Sequence, residues 1–172
     1  EYDKRVDTDS EFDNRYKISE TMQKRFDITL TNAKEFLNKC EIQKVNFHPI
    51  GVVQAWSPKS MKYAAKELVS MGYNYIAIGG LVPLDIDSCE EIVKAIREEI
   101  GFDIRIHLLG FAKAKQLERF VKYKITSFDS TSPMIKSFKD STQNYLTPEK
   151  YYTAIRIPSS DGTASLKRKI SS

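Results

Sequence analysis

The stretch Tyr73-Asn-Tyr-Ile-Ala-Ile-Gly-Gly-Leu81 decides the fold. It is an apolar run of strand length that stops at a double glycine, which reads as a buried strand followed by a tight turn. Immediately upstream, Met61, Ala64, Ala65, Leu68 and Val69 recur on one helical face. Ser57-Pro58 opens that helix as an N-cap with Pro at the first helical position, and Gly72 closes it. Immediately downstream, Pro83 to Asp87 form a loop and cap, and Ile92, Val93, Ile96 and Ile100 line a second helix that ends at Gly101.

The same unit repeats on both sides. Pro49-Ile-Gly-Val-Val-Gln-Ala-Trp56 is a β-branched strand. Asp103-Ile-Arg-Ile-His-Leu-Leu-Gly110 is another, with Leu117, Phe120 and Val121 marking the helix after it. Lys124-Ile-Thr-Ser-Phe-Asp129 is the fourth, and Ser132-Pro133 caps a short helix through about Phe138. Strand starts therefore fall near 50, 74, 103 and 125, the intervals of successive βα units. Ahead of them, Phe26, Leu30, Ala33, Phe36 and Leu37 predict an amphipathic helix over 20–40. Nearly continuous apolar strands between amphipathic helices predict a parallel sheet covered by helices.

Four such units can be half of a (β/α)₈ barrel or a small doubly wound sheet. Two features favour the barrel. Gln54, Gly79-Gly80, Gly110 and Asp129 each follow a strand, so they gather at one rim, where a barrel builds its site. No G-x-G-x-x-G opens the first helix, as a dinucleotide-binding fold requires. The expected fold class is thus α/β, a (β/α)₈ TIM barrel of which this chain supplies the last four units. The expected organisation is a loop, partly disordered, over 1–20, the half-barrel over 21–140, and a truncated C-terminal extension over 141–172. A complete barrel takes about 250 residues and this chain has 172. The expectation is that the missing strands precede residue 1 or come from another chain. Open parallel edges invite association, a second copy included.

Bulk properties narrow the class. The chain is 41% hydrophobic and 29% charged, as in globular proteins. No apolar run approaches the roughly 18 residues of a membrane span, so no membrane partner is expected. The start Glu-Tyr-Asp-Lys-Arg has neither an initiator Met nor a signal-peptide pattern, which reads as a chain cut from something longer. Cys40 and Cys89 lie too far apart for a zinc motif and predict reduced, half-buried thiols in a cytoplasmic setting. The net charge of +4 permits a polyanionic partner without requiring one. Leu166-Lys-Arg-Lys-Ile170 reads as a frayed, solvated basic tail.

Asp129 carries the sharpest chemical signal, a carboxylate ending a buried strand and aimed at the barrel mouth. Its alternative reading is an Asx-turn or a cap before Pro133. Gly79-Gly80 permits close approach of a flat or anionic ligand to the backbone, or is only a tight turn. Gln54 offers an amide able to read a nucleobase edge, or is a satisfied rim residue. His107, mid-strand, reads as a hydrogen-bonded core histidine or as a ligand-facing one. His48, at a strand entrance, falls at the opposite, stability rim. Trp56, Phe111 and Tyr145 lie near the rim and could stack on a base or pack under loops. No Ser-His-Asp order, P-loop or H-E-x-x-H occurs.

The four strand ends Gly51-Val-Val-Gln54, Ile76-Ala-Ile-Gly-Gly-Leu81, His107-Leu-Leu-Gly110 and Ser127-Phe-Asp129, in order and with matching spacing, resemble the second half of the tRNA-guanine transglycosylases. The likeness covers roughly 26–140. Ile106-His-Leu-Leu-Gly-Phe111 and Ser127-Phe-Asp-Ser-Thr-Ser-Pro133 resemble most the DpdA-like branch, which installs the 7-deazaguanine preQ0 in DNA within a bacterial or phage modification system. Val-Gln-Ala55-Trp56 departs from the Val-Gln-Gly-Gly of the tRNA enzymes, and the Pro-Thr-Arg that follows their aspartate is absent. Those enzymes also carry a cysteine-rich zinc site after the last strand, where residues 130–172 here hold no cysteine.

The resemblance implies a cytoplasmic pentosyltransferase that exchanges guanine for a 7-deazaguanine base. Asp129 would be the nucleophile, with Gln54, Gly79, Gly80, Leu81 and His107 contacting the base. It implies no cofactor and no metal. Its implied partners are DNA (tRNA as the alternative) and other proteins of a modification system. The family's general acid and a second base-reading aspartate lie in the other half of the barrel, so this chain alone is expected to be inactive. Two other readings stand beside it: a non-catalytic nucleic-acid-binding subunit, and an unrelated barrel gripping a phosphorylated metabolite at Gly79-Gly80.

Overall fold

The computed structural model describes residues 19–111, 113–139, 142–147 and 150–153. Both the expected loop, except Ser19 and Glu20, and the basic stretch 166–170 fall outside the described residues. The chain divides into two compact units, Glu1–Ser130 and Thr131–Ser172.

In the first unit, α1 (Glu20–Gln43) precedes β1 (Gly51–Val53), α2 (Pro58–Ser70), β2 (Tyr75–Ile78), α3 (Ile86–Ile100), β3 (Arg105–Leu108), a 3₁₀ helix (Ala114–Tyr123) and β4 (Ser127–Phe128). Local chemistry sets the helix starts. Ser57 and Ser60 form a reciprocal capping box with Pro58 inside it, and Asp85 Oδ1 accepts the Ser88 N–H at 2.9 Å. The segment carrying Leu117, Phe120 and Val121 departs from the expected helical periodicity. It winds as a 3₁₀ helix of ten residues. Its three-residue period stacks Leu117, Phe120 and Tyr123 on one face and turns Val121 out to 73% exposure.

The four strands pair in parallel in chain order, β1-β2-β3-β4. A doubly wound sheet reverses its order at a switch point and sends helices to both faces. Unbroken order with crossovers of one hand keeps them on one face. The helices form one layer here: α1 packs on α2, α2 on α3, and α3 on the 3₁₀ helix. Under that layer Val53, Ile76, Ile78, Ile106 and Leu108 are fully buried.

The opposite face of the sheet carries no helical layer among the described residues. Period-2 alternation turns Val52, Tyr75, Arg105, His107 and Ser127 onto a face that no helix among the described residues covers, and Val52 is 38% exposed there. The strands are shorter than their apolar runs, yet single ladder bonds continue past them, with Gly79 N–H to Val53 O at 2.9 Å and Leu109 N–H to Ile78 O at 3.0 Å. This mixed α/β unit with a singly wound parallel sheet is consistent with a fragment of a (β/α)₈ barrel.

At the N-terminal ends of the strands, Arg97 gathers the turns before β3 and β4. Its guanidinium donates to the carbonyls of Tyr123 (2.7 Å), Gly101 (2.9 Å), Ile104 (2.7 Å) and Lys124 (2.9 Å). The residue is buried, and that burial pulls its pKa below the ordinary arginine value. His48, Asn74 and Arg105 cluster at the same rim, and the Arg105 guanidinium lies 4.6 Å from the Tyr75 ring centroid.

In the second unit, α4 (Ser132–Lys139) is followed by an antiparallel hairpin of β5 (Tyr145–Leu146) and β6 (Tyr151–Tyr152). Thr147 and Lys150 close its turn, and Lys136 Nζ sits 4.0 Å from the Tyr151 ring centroid. Among the described residues no helix is long and apolar enough to cross a membrane. Cys40 and Cys89 are buried free thiols.

Arg97→Met removes four charge-assisted bonds and leaves their carbonyls without partners. Chemical denaturation should show a loss of about 2–4 kcal/mol, with Arg97→Lys intermediate because an ammonium lacks the planar fork.

Candidate active site

The pairing register aligns the strand ends. Gly51 to Val53 pair with Ile76 to Ile78, Ile78 pairs with Leu108, and Leu108 with Phe128. One step further along each strand, Gln54, Gly79, Leu109 and Asp129 form a row at the C-terminal rim of the open face. Three strand spacings of about 4.8 Å make that row roughly 14 Å long. Gln54 and Asp129 therefore stand at opposite ends of it, with Gly79 between them.

Asp129 is braced on one oxygen. Its Oδ1 accepts the Gly110 N–H at 2.9 Å and faces His107 Nε2 at 3.0 Å. The Gly110 N–H, and after it the His107 imidazole, hold the Asp129 carboxyl below the usual carboxylate range. The side chain is half exposed. At neutral pH it is an anion with one oxygen anchored and access to solvent, which is what a carboxylate nucleophile needs.

Gly110 holds this arrangement through its backbone. Its φ is +64°, and a Cβ added there would lie 2.9 Å from Val82 Cγ2. The left-handed turn favours glycine, whereas the exposed Val82 side chain could turn aside from a Cβ. Ser127 is two residues before Asp129 and pairs with His107 across β3 and β4. Its Oγ lies 2.7 Å from His107 Nδ1 and 2.6 Å from the Tyr75 hydroxyl. Sequence reasoning missed Ser127 and Tyr75 and left Gly110 out of the site. The available signal was period 2: a polar residue two positions before a strand-end carboxylate shares its face.

The structure places the other candidates unevenly. His107 joins Asp129 directly and is not an isolated core histidine. Gly79 spends its N–H on Val53 O, so that group cannot serve a ligand, and the Leu81 carbonyl already accepts from Lys113 Nζ at 3.3 Å. Among the described residues the N–H groups of Gly80 and Leu81 carry no internal hydrogen bond. Gln54 is exposed and lines a cavity of about 400 Å³ with Arg25, Phe26, Thr29 and Trp56, on the α1 side. Trp56 and Phe111 do not offer stacking surfaces. Both are buried, Trp56 against Phe26 of α1 and Phe111 edge-on to Phe120 of the 3₁₀ helix. Tyr145 is exposed, in the second unit. His48 lies at the N-terminal rim, as its position before Pro49 predicted.

A concavity of about 560 Å³ lies elsewhere, between α3 and the 3₁₀ helix. Its charges are mutually satisfied. Lys122 and Arg119 bond to Glu90 and hold its carboxyl at about 2, and Arg119 also reaches Asp87 at 2.6 Å. This is a structural ion network on the helical face, away from Asp129. Among the described residues, no group of three His, Cys, Asp or Glu gathers around a common metal position.

No family model matches the chain. It is 42% identical over 151 residues to a DNA-guanine transglycosylase of Salmonella montevideo, an alignment that covers 87% of this chain and 36% of that protein. The chain thus spans about a third of the length of the curated relative it matches. This similarity supports the transglycosylase superfamily and is carried by the same chain that places Asp129, Gly79 and Gln54 along one rim.

Proposed function

We propose that the protein forms the C-terminal half of a (β/α)₈ barrel in a DNA-guanine transglycosylase, with Asp129 as nucleophile and a 7-deazaguanine such as preQ0 as the incoming base. The observation that carries this reading is the ionised, half-exposed Asp129 braced at a strand end of the open face. The charge distribution supports a polyanionic substrate. Residues 131–172 contain seven Lys and Arg against three Asp and Glu, a surplus equal to the +4 of the whole chain. The first unit is therefore neutral overall, and the attraction for phosphates resides in the second.

In this mechanism the target nucleotide leaves the stack, at a cost of a few kcal/mol. Asp129 Oδ2 attacks C1′ while Oδ1 stays anchored. The bond from C1′ to N9 of guanine breaks, and its electron pair leaves with the base, which takes a proton from an acid on the complementary barrel half. The resulting ester is displaced when the corresponding nitrogen of the 7-deazaguanine attacks C1′ and loses its proton, which regenerates the carboxylate. Two displacements retain configuration. Gln54 at the far end of the row, with the Gly80 and Leu81 N–H groups, would read the base edge.

Three outcomes follow for the full-length protein. Given labelled preQ0 with DNA or tRNA, it should incorporate label into DNA; label in tRNA alone would reassign the substrate. Asp129→Asn should abolish both incorporation and covalent trapping, since an amide cannot act as the anionic nucleophile. Gly110→Ala strains the turn and removes the leading bond to Oδ1, so the Asp129 pKa should rise. The reaction needs the ionised form, so its rate falls as pH drops through that pKa. The acid limb of the pH–rate profile should therefore lie below the ordinary carboxylate range in wild type and move to higher pH in Gly110→Ala.

A further inference from the structure

Behind Asp129 runs a line of hydrogen-bonding groups that the mechanism above does not use. His107 Nε2 is 3.0 Å from Asp129 Oδ1, His107 Nδ1 is 2.7 Å from Ser127 Oγ, and Ser127 Oγ is 2.6 Å from the Tyr75 hydroxyl. All four side chains come from three adjacent strands and share the open face. The line ends at Tyr75, whose ring is stacked by Arg105.

Proton counting gives the line a direction. Asp129 is an anion, so the ring nitrogen facing it must carry a hydrogen; a lone pair there would repel the carboxylate. In a neutral imidazole, Nδ1 is then an acceptor. Ser127 must donate to it, and because a hydroxyl has one hydrogen, Ser127 cannot also donate to Tyr75. Tyr75 must donate to Ser127. Each donor polarises the next, so the bonds reinforce one another.

We propose that Tyr75 and Ser127 are positioning residues that fix His107 as its neutral Nε2–H tautomer, so that His107 pins Oδ1 of Asp129 and leaves Oδ2 as the reacting oxygen. The geometry fixes which ring nitrogen faces the carboxylate, and the neutral form is part of the proposal; its consequence for base exchange rests on the transglycosylase reading. Tyr75 is about two side chains removed from Asp129 and touches no reacting atom, so its hydroxyl is a clean handle on the relay. Tyr75→Phe keeps the ring under Arg105 and removes only the first donor.

In long-range ¹H–¹⁵N correlation spectra of the full-length protein, the His107 imidazole signals are assigned by their loss in a His107→Gln variant. Wild type at neutral pH should show His107 with a protonated Nε2 and an unprotonated Nδ1. Tyr75→Phe should shift it towards a mixture of tautomers, Ser127→Ala should do so more strongly, and Ser127→Thr should restore the wild-type pattern. A wild-type His107 protonated on Nδ1, either as the other tautomer or as the imidazolium, would overturn the proposal. So would a Tyr75→Phe spectrum identical to wild type. In the full-length protein, Tyr75→Phe should slow covalent trapping on DNA about five- to tenfold, the worth of one hydrogen bond, with half-saturation by DNA unchanged. Wild type that never traps DNA would defeat the transglycosylase reading while the spectra still decide the relay.

Discussion

Because β4 pairs with β3 in parallel with Ser127 opposite His107, the residue two positions after Ser127 falls beside the turn that ends β3. That residue is Asp129, and the turn is Gly110. Every feature of the site follows from this register. The Gly110 N–H and the His107 imidazole converge on one carboxylate oxygen only because the strands run in the same direction and end at the same height. A one-residue slip would turn Ser127 and Asp129 towards the helices and bring Phe128 to the open face. The apolar contacts beneath Ile106 and Leu108 oppose that slip.

The two ends of the sheet have different tasks. At the N-terminal rim, Arg97 ties four carbonyls and His48, Asn74 and Arg105 interlock, so the turns there are held by saturated polar contacts. At the C-terminal rim the backbone is shaped by glycines, and polar groups remain unsatisfied. Saturated contacts and the candidate site thus lie at opposite ends of the strands. The open face carries Tyr75, His107 and Ser127 in line, with Val52 partly exposed.

Much of this was legible in the sequence. The Ser57-Pro58 cap, the stop at Gly72 and Gly101, and the four apolar runs located α2, α3 and the strands to within a few residues, because each rests on local chemistry. The carboxylate at the end of the fourth run was readable for the same reason. Four things were not. The apolar runs predicted a sheet covered by helices, and only the pairing partners reveal that Tyr75, His107 and Ser127 share the side that no described helix covers. Val121 looked like a core position under a 3.6-residue period and is exposed under a three-residue one. Trp56 and Phe111 could equally have stacked on a base or packed inside, and their burial against Phe26 and Phe120 is decided by tertiary contacts. Arg97 was invisible because its four partners are carbonyls, which every residue carries.

The central claim is that Asp129 forms a covalent bond to the sugar. The most direct test is to quench the full-length protein on DNA in the absence of an incoming base, digest it with trypsin and nuclease, and map the modified peptide by mass spectrometry. The account predicts a deoxyribose-containing adduct on the peptide spanning residues 125–136, localised to Asp129. An adduct on another residue, or base exchange that proceeds with that peptide never modified, would contradict it.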